Sequence, residues 1–180
     1  MHTVELLPDD AADSAVRAAW RTLDAAGLPS QAGHRHPTNR PHLTLLTLPA
    51  LPPPLRAGLG ELLAAALPLP LAVAGPRVFP GRTQTLVWAI RPDPALLALH
   101  ARLWSACRAV PDPAARPDSR HAPGRWTPHL TLGRSRRSRA AWPAPGDPAF
   151  PVLPPLPDAP HWTAARTYDS ATRTADPLAP

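Results

Sequence analysis

The sequence predicts an α+β fold built from two matched strand–helix–strand units that face each other across a cleft. Three observations carry that expectation. One phrase is written twice, as Pro41-His42-Leu43-Thr44-Leu45 and as Pro128-His129-Leu130-Thr131-Leu132. Each copy follows a strand-then-helix pattern whose register repeats after 84 residues, in Pro8 and Pro92, Asp9 and Asp93, Trp20 and Trp104. The 29 prolines among 180 residues call for many short elements joined by ordered turns rather than long helices.

In the first unit, Val4-Glu5-Leu6-Leu7 reads as a short strand. Pro8-Asp9-Asp10 starts a helix with Val16, Trp20 and Leu23 at helical spacing, and Gly27 stops it. A loop then leads to the strand carrying His42 and Thr44. In the second unit, Thr85 to Ile90 is an apolar strand, Pro92-Asp93-Pro94 opens a helix, and Leu96, Leu99, Leu103, Trp104 and Cys107 follow at helical spacing. A loop again leads to the motif strand. The histidines lie 87 residues apart, so the loops differ by three residues and the rest keeps register, which implies internal duplication. The units span about 3–48 and 85–133 of one bilobal domain covering 1–180. Between them, Leu55 to Ala66 reads as a helix and Leu69 to Phe79 as a strand beside the first unit. After them, about 141–160 is a Pro-rich loop, Trp162 to Tyr168 a closing strand, and the tail to Pro180 frayed.

Composition bounds the classes available. Hydrophobic residues make up 44%, enough for a packed core and too many for a disordered chain. A lone Cys107 excludes a disulfide framework, and the opening residues form no basic-then-apolar leader, so a reducing, cytoplasmic setting is expected. The stretch from Leu59 to Gly75 is broken by Glu61, Pro68 and Pro70, so no membrane span is expected. Net charge is +6 and every basic residue is Arg. Two readings of that surplus stand side by side: attraction to phosphate-bearing partners, or Arg filling ordinary surface positions under a compositional bias.

The chemistry lies in the twin phrases. Alternate residues of a strand share a face, so each phrase presents a His and a Thr together with leucines behind. Imidazole exchanges protons near neutrality, and two of them on opposite sides of one substrate make an acid and a base. The neighbouring hydroxyls of Thr44 and Thr131 can donate to an anion held between them. A single such phrase would more often be a satisfied core His with a β-prone Thr. The matched pair favours catalysis.

These paired His-x-Thr-x strands resemble those of the 2H phosphoesterases, in particular the bacterial 2′-5′ RNA ligase-like and RNA 2′,3′-cyclic phosphodiesterase branch, and the likeness runs in order to about Arg139. The resemblance implies a bilobal α+β fold with two antiparallel sheets lining a central cleft and helices outside. It implies no metal or other cofactor. It further implies a phosphodiesterase that opens 2′,3′-cyclic phosphate ends of RNA or small cyclic nucleotides, with a reverse 2′-5′ ligation in some members. His42 and His129 are then the acid–base pair, with Thr44 and Thr131 on the phosphate oxygens. The sequence leaves open which histidine is the base. The expected partner is RNA or a cyclic nucleotide, with no membrane, and the protein is expected to be a monomer. The competing class is an RNA- or nucleotide-binding module of the same fold without chemistry.

Arg134, in His-Leu-Thr-Leu-Gly-Arg, resembles the phosphate-holding Arg that follows the family's second motif. Its odd offset from His129 puts it on the wrong face of a regular strand unless the chain bulges at Gly133. Arg40 and Arg125 have even offsets and are weaker substrate-binding candidates. Arg136, Arg137 and Arg139 extend a basic run that reads as a solvated loop, with electrostatic steering of RNA as the alternative. Trp20, Trp104 and Trp126 are expected in the core. Phe79 and Trp88 are placed there too, with base stacking at the cleft edge as the alternative. His34, His36 and His42 invite a zinc reading. No Cys lies nearby, and no Asp or Glu occurs between Gln31 and Glu61, so no metal is expected.

Overall fold

The computed structural model describes residues 1–136 and 141–180. Among the described residues eight strands and three α-helices follow one another: β1 (His2–Pro8), α1 (Asp10–Ala25), β2 (Leu43–Leu48), α2 (Pro53–Ala64), β3 (Leu69–Pro70), β4 (Val73–Phe79), β5 (Gln84–Ile90), α3 (Pro94–Ala109), β6 (His129–Ser135), β7 (His161–Asp169) and β8 (Thr174–Ala179). Both predicted helix starts are present. The Asp9 carboxylate accepts from Ala12 N at 2.8 Å and Asp93 from Leu96 N at 2.7 Å, each satisfying an otherwise orphaned amide of the first turn. Gly27, at φ +69°, ends α1 in the left-handed conformation that favours glycine. In α2 the buried Leu55, Leu59 and Leu63 recur every fourth residue, the spacing of a single core-facing stripe.

The strands form one antiparallel path, β3-β7-β1-β2-β6-β5-β4, with β8 on the outer side of β7. Among the described residues it divides into two half-sheets that pair at β2 and β6, through Leu43 and Leu130. Those two leucines hold the same place in the two motif phrases, so the join falls between equivalent points. The leucines behind the motif residues, Leu43, Leu45, Leu130 and Leu132, are fully buried and tie both half-sheets into one core.

Two expectations need correction. The Leu69–Phe79 segment does not run as one strand beside the first unit. Only Leu69 and Pro70 pair there, with β7, while Val73–Phe79 pairs with β5 of the second unit. The four-residue connection from Phe79 to Gln84 favours an antiparallel hairpin with the next strand, and Leu71 and Ala72 let the chain cross between half-sheets. In the mirror sense, β7 follows the second unit and pairs with β1 of the first. Each half-sheet is thus completed by the other half of the chain. The tail is also not frayed. Thr174–Ala179 is an edge strand on β7, and Arg56 of α2 donates to the Pro177 carbonyl at 2.7 Å. The Pro-rich stretch 141–160 carries no helix or strand, although Ala141 and Trp142 are buried. Among the described residues no helix is long and apolar enough to cross a membrane.

Candidate active site

The cleft exists because β2 and β6 part immediately after Leu43 and Leu130. Parting strands leave backbone carbonyls without ladder partners, a costly state inside a protein. Two tryptophans resolve it symmetrically. The Trp126 indole donates to the Thr44 carbonyl and the Trp20 indole to the Thr131 carbonyl, both at 3.0 Å. Trp20 is in the core as expected, while Trp126, also expected there, is only half-buried against it, its indole edge turned to the Thr44 carbonyl. Trp104 is likewise half-buried against the core rather than within it.

Both motif histidines are held alike. His42 Nδ1 lies 2.7 Å from the Arg40 carbonyl and His129 Nδ1 lies 2.7 Å from the Thr127 carbonyl. A carbonyl can only accept, so Nδ1 carries the hydrogen in each ring and Nε2 is the atom left to exchange protons. A cavity of about 280 Å³ is lined by His42, Thr44 and Thr131, with Arg40, Arg134 and Arg166 around them. A second cavity, on the far side of Arg134, is lined by His129 with Phe79, Thr85 and Arg136. Arg134 belongs to both walls and joins them.

Its presence there comes from a local irregularity. Leu86 pairs with Gly133 but the next residue, Val87, pairs with Thr131, so Leu132 is an extra residue on β6. The bulge reverses the alternation and turns Arg134 to the motif face. Gly133 is needed at this point for space. A Cβ there would run into the Pro29 carbonyl of the loop crossing β6, and that carbonyl is already held by the Trp142 indole at 2.9 Å.

Of the other predicted residues, Arg40 reaches the cavity wall and lies 3.5 Å from the Asp13 carboxylate of α1, which also binds Arg17. Arg125 is not brought to the site. It lies on an exposed turn between a 3-10 turn (Ser119–His121) and β6, where strand alternation does not operate, and lines neither cavity. Arg136 is exposed and lines the second cavity, while Arg137 and Arg139 lie outside the described residues. Phe79 is half-buried and lines the second cavity, its ring meeting His129 edge-on at 5.0 Å, and Trp88 is in the core.

The surroundings of the two histidines differ. Glu5 of β1 is cross-strand partner to Thr44 on one side and to Arg166 on the other. That row carries the Glu5 carboxylate to 3.6 Å from His42 Nε2, longer than a hydrogen bond. The carboxylate is fixed at both oxygens, by the Thr3 hydroxyl at 2.6 Å and Arg166 Nε at 2.8 Å. Burial pushes the Glu5 carboxyl up, but His42 and Arg166, with the Thr3 hydroxyl, outweigh burial and hold it below the usual carboxylate range. On the second half-sheet the partner of Thr131 is Val87 and the residue opposite His129 is Ala89. Burial holds the His129 imidazole below the ordinary histidine range against the pull of the Thr127 carbonyl, and the charges of Arg134 and His42 push the same way. Sequence reasoning passed over Glu5, Arg166 and Tyr168. The signal for Glu5 was present, a single carboxylate inside the apolar run Val4-Glu5-Leu6-Leu7.

Residues 8–173 match the family model of the 2′-5′ RNA ligase superfamily. No curated protein matches the chain. A solved structure described as a phosphoesterase superposes with a TM-score of 0.51 at 19% identity, covering 98% of this chain and 92% of that one. Usb1 of Kluyveromyces marxianus covers 74% of this chain and 70% of its own at 15% identity, with a TM-score of 0.42. The first of these likenesses is one of fold.

Proposed function

Because the chain belongs to the 2′-5′ RNA ligase superfamily, we propose that it is a metal-independent phosphodiesterase that hydrolyses 2′,3′-cyclic phosphate ends of RNA or small cyclic nucleotides, and that the same site run in reverse joins RNA ends through a 2′-5′ bond. The observation that carries this reading is the pair of imidazoles, each anchored through Nδ1 to a carbonyl two residues upstream, with the motif threonines beside His42 in one cavity and Arg134 in the walls of both.

Opening a cyclic phosphate needs little beyond what these residues supply. One Nε2 takes a proton from water, whose oxygen bonds phosphorus. The other gives a proton to the ribose oxygen as its bond to phosphorus breaks. Thr44, Thr131 and Arg134 donate to the non-bridging oxygens, where charge accumulates, and a fixed donor is worth more there than in water. Arg40 and Arg166 make the cavity cationic around the single carboxylate of Glu5, which suits a phosphate group. In the same reading the molecule is one bilobal domain made of a repeated unit, which supplies both imidazoles from equivalent strand positions.

The test is a panel of 2′,3′-cyclic mononucleotides and cyclic-phosphate-ended RNA, with EDTA present and the product phosphomonoesters identified by isomer. His42→Ala and His129→Ala should each lower kcat by about 10²–10⁴-fold while the fold is kept. Full turnover in both variants rules the mechanism out. Binding of the cyclic phosphate without product, followed by phosphorus NMR, would instead make the chain a binding module.

A further inference from the structure

Beside the catalytic cavity, the loop between α1 and β2 forms a cationic groove with α1. It is about 430 Å³ in volume and is lined by Arg17 and Arg21 of α1 and by His34, Arg35 and His36 of the loop. Among the described residues no carboxylate lines it. Trp20, His34 and Asn39 belong to its wall and to that of the catalytic cavity, so the two are contiguous. We propose that this groove is a second phosphate-binding site, which takes the backbone of a single RNA strand upstream of the cyclic end. An RNA 3′ end is then a better substrate than a cyclic mononucleotide. The proposal rests on the phosphodiesterase reading above.

The loop is fastened to the helix. Arg17 donates to the Asn39 carbonyl at 3.2 Å, and the Asn39 amide donates to the carbonyls of Gln31 and His34 at 3.1 and 2.8 Å. His36 Nδ1 accepts from the Thr38 backbone amide at 3.3 Å, so the hydrogen of its neutral ring is on Nε2, a donor for a phosphate oxygen. Arg17 is held by Asp13. Among the described residues the guanidinium groups of Arg21 and Arg35 are exposed and make no ion pair, which leaves their charge for a partner. The repeat sharpens the point. At its 84-residue distance Arg17 and Arg21 correspond to Ala101 and Ser105 of α3. The loop after α3 carries Asp112 and Asp118, whereas the loop after α1 carries no acid. The cationic groove is therefore a property of the first unit and not of the shared architecture.

The groove offers donors to phosphates and little for bases to stack on. Trp20 is 4% exposed and has the Arg17 guanidinium over its ring at 5.6 Å. Phosphate contacts fix a strand in place without reading its sequence. Binding should therefore depend on the presence of an upstream strand and on salt, and be indifferent to base identity.

The experiment measures kcat and KM on a single-stranded RNA oligonucleotide ending in a 2′,3′-cyclic phosphate and on 2′,3′-cyclic AMP. Wild type should have the lower KM on the RNA. Arg21→Gln/Arg35→Gln should raise the RNA KM about 3–20-fold, with kcat and the mononucleotide KM within about twofold. Each phosphate contact on a single strand contributes about 0.7 to the slope of log affinity against log salt, so the double variant should flatten that slope by about 1.4. Arg102→Gln/Arg108→Gln removes the same charge from exposed positions of α3 and should leave the RNA KM within about twofold. Equal effects of the two double variants, an unchanged RNA KM and slope in Arg21→Gln/Arg35→Gln, or an equal rise on both substrates overturns the groove. Wild-type turnover then leaves the phosphodiesterase reading intact. A wild type that turns over neither substrate overturns that reading instead. The groove is in that case judged by fluorescence anisotropy with the same RNA carrying a 3′-phosphate: weaker binding and a flatter salt slope in Arg21→Gln/Arg35→Gln support it, and equal binding overturns it.

Discussion

The motif strand β2 is braced by an acid-sensitive contact, and its magnitude can be worked out. His100 of α3 is 2% exposed and stacks on Trp126 with ring centres 4.0 Å apart and planes 6° from parallel, while its Nε2 is buried without a hydrogen-bond partner. Burial, and then the nearby charge of His121, lowers its pKa from 6.5 to about 4. In the folded state His100 is therefore neutral over a range where the unfolded chain binds a proton. Its contribution to stability is constant above pH 6.5 and falls as pH drops from 6.5 to 4, because the unfolded state then holds more protons. Between pH 7.5 and 4.5 that loss integrates to roughly 2–3 kcal/mol, or about 5–10 °C in thermal midpoint for a chain of this size. His100→Phe keeps the stack and cannot titrate. Denaturant unfolding of both proteins at pH 7.5, 6.0, 5.0 and 4.5 should show the variant losing roughly 2–3 kcal/mol less than wild type, with the gap opening as pH falls through about 6.5. Parallel loss in the two proteins would refute the reasoning, since every other titrating group is common to both. The site is implicated because the same Trp126 indole donates to the Thr44 carbonyl, so losing the stack loosens a motif strand.

Two further consequences concern the ends of the motif strands. Gly133→Ala should destabilise the fold by about 1–3 kcal/mol, since the new methyl meets the Pro29 carbonyl and the Trp142 ring. It should also lower kcat by moving Arg134 relative to Thr131, read by thermal unfolding and by steady-state turnover on 2′,3′-cyclic AMP. Trp126→Phe keeps the ring on His100 and removes the donor to the Thr44 carbonyl. Leaving that acceptor unsatisfied should reduce stability by about 1–3 kcal/mol in urea unfolding at pH 7.5.

How much of this was readable in advance divides by the range of the interaction. Asp9, Asp93 and Gly27 act within one helical turn, so the sequence locates both helices from their own neighbourhoods. The His/Thr pairs were legible for the same reason: alternation on a strand is a local rule, and it needs no knowledge of what the strand pairs with. Parity failed at Arg125, where the backbone is a turn. For Arg134 the sequence posed the condition, a bulge at Gly133, and pairing with β5 meets it. The crossing of β4 to the second half-sheet was illegible, because an apolar run fits either sheet edge and the choice depends on the short turn that follows.

The sequence by itself determined that two equivalent His/Thr strands end two matched strand–helix–strand units, because periodicity, capping residues and repetition are properties of neighbouring residues. Only the tertiary structure decided what makes the equivalent strands unequal. Glu5 meets His42 through cross-strand register, Arg166 reaches Glu5 from a strand 161 residues away, and Val87 takes the corresponding place beside Thr131. Cross-strand register is set by bulges and by which edge each strand finds, and no local pattern in the chain encodes either.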